Sequence, residues 1–277
     1  MILINGELKT SIEVSDRGFQ YGDGLFETIP VINGQPVFLD RHLSRLKTGC
    51  HRLHIPFAET ALLISEAKKL CREAGNAILK IIITRGSGGR GYRQPDEIKT
   101  TRVLSLHPFP EHPTHFKEQG VIVRFCDTRL GLNPALAGIK HLNRLEQIMA
   151  RTEWNNPDIQ EGIMLDINEH VIEGTMTNLF YVKNNILYTS SLKYSGVAGI
   201  MRELIIATSS HIGLSTKEHF FTQDTLLSAD EIFVCNSIIG IWPVKQIDNA
   251  HFSIGQKTLK LQTKLVHLQN EVIKGGL

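Results

Sequence analysis

The chain has 277 residues, 42% hydrophobic and 21% charged, and its 30 basic and 28 acidic side chains leave a formal net charge of +2. That composition excludes disordered, collagen-like and low-complexity classes, and the balanced charge leaves no basic footprint for nucleic acid or an anionic membrane. Cys50, Cys71, Cys126 and Cys235 lie far apart without a C-x-x-C pair, so no metal site or disulfide framework is expected and the thiols read as reduced. The opening MILINGELK lacks the apolar core of a signal peptide, and no apolar run approaches the roughly 20 residues of a membrane helix. A soluble, cytoplasmic protein is expected, without nucleic-acid or membrane partners.

Leu25 to Ile32 is rich in β-branched and apolar residues and predicts a strand. Asn33-Gly34 is a hairpin signal leading into a second strand at 36–38. Asp40 is placed to cap a helix whose Leu43, Leu46, Cys50 and Leu53 recur at intervals of 3, 4 and 3. A second helix over roughly 60–74 should stop at Gly75-Asn76. The nearly continuous apolar run 77–84 predicts a strand buried on both faces, with 101–106 pairing near it. Prolines 108, 110 and 113 mark a linker over 108–115. It separates a small N-terminal α/β domain, 1–107, from a larger C-terminal α/β domain, 116–277. In the second part a strand is expected at 120–126 and a helix from about His141 to Arg151. Short strands follow at 162–167, 170–174, 177–183 and 186–189, with turns at Asn168-Glu169 and Asn184-Asn185. A helix starts near Gly199 and a further strand covers 231–236. This interleaving points to a mixed α/β (α+β) fold.

Three glycine clusters stand out, at 22–24, 86–91 and 196–199. The second lacks the G-K-[ST] ending of a phosphate loop and reads as a hairpin loop, yet it carries Arg85, Arg90 and Arg93, whose guanidinium forks suit carboxylates. The third precedes an amphipathic helical pattern, where exposed backbone N–H groups and the helix dipole bind anions. Lys140 follows the small apolar run Leu136-Ala137-Gly138-Ile139. A desolvated lysine serves as a nucleophile or Schiff-base partner, although most lysines are solvated surface groups. Glu173 ends the run HVIE and reads either as an edge-strand carboxylate or as an acid aimed at a cationic ring nitrogen.

The residues Glu173-Gly-Thr-Met-Thr-Asn178-Leu-Phe180, Leu187-Tyr-Thr189 and Val197-Ala-Gly199-Ile-Met-Arg202 resemble the signature of the class IV pyridoxal-phosphate aminotransferase family, and Tyr21-Gly-Asp-Gly24 is similar to its N-terminal motif. Gly86 to Tyr92 and Ala137 to Gln147 resemble in particular the family's lyases, which act on aminodeoxychorismate. The likeness implies the two-domain fold type IV shared with D-amino acid aminotransferase, pyridoxal 5'-phosphate as cofactor, and a homodimer in which one subunit's small domain closes the partner's site. By position, Lys140 matches the Schiff-base lysine and Glu173 the carboxylate on the pyridine nitrogen. Arg45, the amides of Ala198, Gly199 and Ile200, and the pair Asn236 and Ser237 match the phosphate-side contacts. Arg90 and Tyr92 are candidates for the substrate carboxylate, Thr28 and Asn236 for steering the reaction, with Lys140 and Thr28 as the catalytic pair. Leu145 stands where branched-chain enzymes carry a tyrosine, and Thr28 where they carry glycine. The implied reaction is elimination from a small-molecule substrate, aminodeoxychorismate, to 4-aminobenzoate and pyruvate. Transamination of D- or branched-chain amino acids is the alternative, and Gly174-Thr175 resembles the transaminases as much as the lyases.

Overall fold

The computed structural model describes residues 1–275. The chain divides into two compact units. One comprises Met1–Pro110, Ile139–Asn143 and the described residues from Gln269; the other comprises Glu111–Gly138 and Arg144–Leu268. The boundary at Pro110 falls inside the proline-rich stretch.

The first unit contains β1 (Ile2–Ile4), β2 (Glu7–Leu8), α1 (Arg17–Tyr21), β3 (Gly24–Ile32), β4 (Gln35–Pro36), α2 (Leu39–Arg52), α3 (Thr60–Cys71), β5 (Ala77–Thr84) and β6 (Thr101–Pro108). Its sheet runs β2-β1-β6-β5-β3-β4 with every pair antiparallel. Asn33 and Gly34 both adopt positive φ, 50° and 76°, the geometry the Asn-Gly signal requires for a tight hairpin. Leu25, Ile29 and Val31 of β3 and Leu79, Ile81 and Ile83 of β5 pack with Leu43, Leu46, Leu63 and Leu70 of the two long helices.

Four expectations are corrected here. Strand β5 alternates, with Leu79, Ile81 and Ile83 buried but Ile78, Lys80 and Ile82 half-buried, so one face rather than two is sealed, because α2 and α3 cover a single side. Asp40 does not cap α2: the chain enters the helix through a left-handed residue, Phe38 (φ 54°), and Asp40 sits in the first turn, where its charge favours the dipole. The segment 139–143, which carries Lys140, belongs to the first unit, whereas the domain division expected from the sequence places it in the second. The Phe26 N–H donates to the Lys140 carbonyl at 3.1 Å and the Leu142 N–H to the Gly24 carbonyl at 2.9 Å, so 139–143 runs as an added partner of β3. Pairing with β3 also delays the helix expected from His141.

The second unit contains α4 (His115–Glu118), β7 (Val121–Leu130), α5 (Leu145–Arg151), β8 (Ile159–Asp166), β9 (Val171–Gly174), β10 (Asn178–Lys183), β11 (Ile186–Ser190), α6 (Ile200–Ser209), β12 (Ser215–His219), α7 (Gln223–Leu227), β13 (Glu231–Asn236), β14 (Gly240–Ile247) and β15 (Ala250–His251). A last helix, α8 (Gln256–Gly275), begins in this unit. Strand order is β12-β11-β10-β13-β14-β7-β8-β9, with β15 on β14. Strand β9 returns to pair with β10 at a single position, Glu173 opposite Asn178, so β10, β13, β14, β7, β8 and β9 close a circuit. Val121, Val123, Ile163, Leu165, Val234 and Trp242 fill its core. Among the described residues no helix is long and apolar enough to cross a membrane, and no group of side chains is arranged to hold a metal ion.

Candidate active site

In the first unit the Lys140 Nζ lies 4.3 Å from the centroid of the Phe26 ring, and the Lys80 Nζ lies 5.5 Å from the same centroid. The aromatic face attracts both ammonium groups. Thr28 lies two residues along β3, half-buried, opposite Lys80 of β5. On the other face of β3, Glu27 is buried beneath α2 and binds two of its side chains. The Arg45 Nε donates to Glu27 Oε1 at 2.8 Å and its Nη2 to Oε2 at 2.5 Å, while His42 Nδ1 lies 2.6 Å from Oε2. Burial alone would push the Glu27 carboxyl up, but the Arg45 guanidinium and the His42 hydrogen bond bring it down to about 2. Burial lowers the His42 ring's affinity for a proton, against the pull of Glu27. A lasting carboxylate therefore fixes one edge of Arg45.

The arginine-bearing loop after β5 is fastened from below. Asp23 accepts from Arg17 Nε at 2.9 Å and from Arg85 Nε at 2.8 Å. Arg17 also donates to the carbonyls of Gly91 and Arg93, and Arg85 to those of Leu53 and His54. Arg85 is thus committed to the scaffold, and Arg93 pairs with Asp96 at 2.8 Å. Arg90 is exposed, and Tyr92, 90% exposed, meets Tyr21 edge-on at 5.8 Å. Asp23→Ala should destabilise the fold by roughly 3 kcal/mol, the low end for breaking a buried ion pair, because both arginines keep carbonyl acceptors. Denaturant unfolding checks this; a change within 0.5 kcal/mol, typical of a surface substitution, would refute it.

In the second unit, Glu173 is 4% exposed at the end of β9. Its Oε2 accepts from the Val197 N–H at 2.8 Å and from Asn178 Nδ2 at 3.4 Å. Asn178 also donates to the Val197 carbonyl at 2.9 Å, so one amide braces both the carboxylate and the segment entering α6. Gly138 is bridged to this segment: its N–H donates to Gly196 and its carbonyl accepts from Ala198. Gly199 is the N-cap of α6, and a Cβ there would collide with Asn178 Oδ1, so only glycine permits the approach. The first-turn amides beginning at Ile200 lack intrahelical acceptors and, with the helix dipole, suit an anion. Asn236 ends β13 and Ser237 opens the following turn. The Asn236 Nδ2 donates to the Met176 carbonyl at 3.1 Å and its Oδ1 accepts from Ile238 and Ile239, so its side chain shapes the site's backbone. Leu145, the first residue of α5, is 73% exposed.

The structure thus groups Lys140, Thr28 and Arg45 around β3 and α2, and Glu173, Ala198, Gly199 and Ile200 around the start of α6. Phe26, Glu27 and the bracing role of Asn178 carry no signal of their own in the sequence. Asn178 stands within the quoted motif, but its function needs the closure of β9 on β10.

Residues 24–247 match the family model described as amino-transferase class IV. The aminodeoxychorismate lyase of Vibrio harveyi is 38% identical over 269 residues, covering 96% of this chain and 99% of that one. A crystal structure of 4-amino-4-deoxychorismate lyase from Pseudomonas aeruginosa superimposes with a TM-score of 0.93 at 43% identity, covering 96% of this chain and 98% of that one. The branched-chain amino acid aminotransferase of Escherichia coli superimposes with a TM-score of 0.87 at 25% identity, covering 97% and 94%. The mixed α/β architecture is the type IV fold that the signature residues imply. From its signature residues, its fold and these likenesses, the chain belongs to the class IV aminotransferase family.

Proposed function

We propose that this chain is a pyridoxal-phosphate-dependent lyase that cleaves 4-amino-4-deoxychorismate to 4-aminobenzoate and pyruvate, a step toward folate, as a cytoplasmic homodimer. The margin of identity by which the Vibrio and Pseudomonas lyases exceed the Escherichia coli aminotransferase carries this reading. Four free, buried cysteines accord with a reducing compartment. The exposed apolar side chains Leu145, Ile148 and Met149 on α5 offer a surface that a second copy would cover.

The donor set fits the cofactor. A buried carboxylate held by two donors, Glu173, suits a protonated ring nitrogen, and the Gly199 cradle at a helix start suits a phosphate. Arg45, the amides of Gly199 and Ile200, and Asn236 and Ser237 would hold the phosphate end, and Lys140 would hold the cofactor covalently, whereas the Ala198 N–H is already given to the Gly138 carbonyl. When bound, the cofactor supplies an electron sink for charge that develops at the substrate's amine-bearing carbon. Lys140 Nζ would take the proton from that carbon and return one to the departing enolpyruvyl group. Loss of the enolpyruvyl ether then makes the ring aromatic, which draws the reaction toward elimination. Thr28, on the same unit as Lys140, and Asn236 would steer the substrate, while Arg90 and Tyr92 meet its carboxylate.

Purified protein given aminodeoxychorismate and no keto acid should release 4-aminobenzoate continuously. Rapid exchange between D-alanine and 2-oxoglutarate without 4-aminobenzoate would replace the lyase with the aminotransferase reading. Arg90 is exposed and has no partner among the described residues, so Arg90→Ala should keep the fold and the cofactor's absorbance. It should weaken substrate binding by about 10- to 100-fold, the loss of one charge-assisted hydrogen bond. An unchanged KM would remove Arg90 from the substrate contacts.

A further inference from the structure

Glu161, on β8, is a buried carboxylate that the proposed reaction does not use; its side chain is fully sequestered. Among the described residues no lysine, arginine or histidine pairs with it. Five donors converge on it instead. Oε1 accepts from the Gly162 N–H at 2.9 Å, the Thr175 N–H at 3.1 Å and the Thr175 hydroxyl at 2.5 Å. Oε2 accepts from the Met176 N–H at 3.2 Å and the Thr177 hydroxyl at 2.9 Å. Four of the five come from the three consecutive residues 175–177. Burial holds the carboxyl above the usual carboxylate range, and these hydrogen bonds offset only part of that rise. A buried carboxyl left without hydrogen bonds costs several kcal/mol, roughly, and this loop supplies four of the five that Glu161 makes.

The loop in turn sets the site. It leaves Glu173 and Gly174 at one end and enters Asn178 at the other, the two positions at which β9 closes on β10. Asn178 braces Glu173 and Val197, and the Met176 carbonyl receives the Asn236 side chain. Because the Met176 N–H is drawn inward to Glu161, its carbonyl is held where Asn236 reaches it.

We propose that Glu161 is a positioning residue of the active site, an internal carboxyl group around which residues 175–177 are wrapped so that Asn178 and Asn236 are held in their working orientations. This rests on the lyase reading for what Glu173 and Asn236 do. Glu161→Gln keeps the shape but puts a donor where Oε2 accepted, facing the Met176 N–H. The apoprotein of this variant should bind pyridoxal phosphate about 10-fold more weakly, the low end of what loss of a supporting hydrogen-bond partner costs at a bound group. Its kcat/KM for aminodeoxychorismate should fall about 10- to 100-fold, as for a site displaced by an ångström. Because the effect runs through Met176 and Asn236, the double variant with Asn236→Ala should be no worse than the poorer single variant. If Glu161→Gln fails to fold, Thr177→Val, which keeps the carboxylate and removes one donor, enters the same comparisons. Folded variants with wild-type cofactor affinity and turnover, or losses that multiply in the double variant, would overturn the inference alone. A wild-type protein that takes up no pyridoxal phosphate would overturn the cofactor reading and this inference together.

Discussion

Lys140→Ala should lose 4-aminobenzoate formation almost entirely, by about 10⁴-fold or more, because in the proposed reaction a single amine would both hold the cofactor and move the substrate proton. The structure gives the amine a defined seat. The backbone of Lys140 is tied to β3 through the Phe26 N–H, and its Nζ rests 4.3 Å from the Phe26 ring centroid. Both restraints limit the side chain to one side of the sheet. Purified wild-type protein should be yellow, and borohydride should fix a pyridoxyl group on the peptide from Gly138 to Arg144. Lys80 provides the internal control, since its Nζ lies 5.5 Å from the same ring centroid. Label recovered on Lys80 would end the assignment to Lys140.

Glu173→Gln should retain cofactor but turn over at least about 10²-fold more slowly, the low end for a positioned ionisable group. The substitution is nearly isosteric, and a glutamine oxygen still accepts from the Val197 N–H, so the β9 to β10 closure should survive. What it removes is the charge that, in the proposed reaction, would keep a ring nitrogen protonated. Near-normal turnover in a folded Glu173→Gln protein would reduce Glu173 to a strand-closing residue, which its placement opposite Asn178 also equips it to be.

Much of the local structure follows from the amino-acid sequence itself. Short-range rules suffice for strand 231–236, for the hairpin at Asn33-Gly34 and for the helix after Gly199, because turn conformation, β-branching and helix starts depend on neighbouring residues. The signature from Glu173 to Arg202 identifies the family for a related reason: its residue types are dictated by one small site. Tertiary structure decided the rest. His141 carries a helical pattern but pairs with β3, since long-range strand pairing overrides local propensity. Arg85 looks like a ligand arginine beside Arg90, yet Asp23, 62 residues away in the chain, claims it for the scaffold. Glu161 and Asn178 are ordinary residues in the sequence. Their roles arise only when β8, β9 and β10 bring them against the 175–177 loop and Val197, because an unsatisfied buried carboxylate or amide is too costly to leave without such partners.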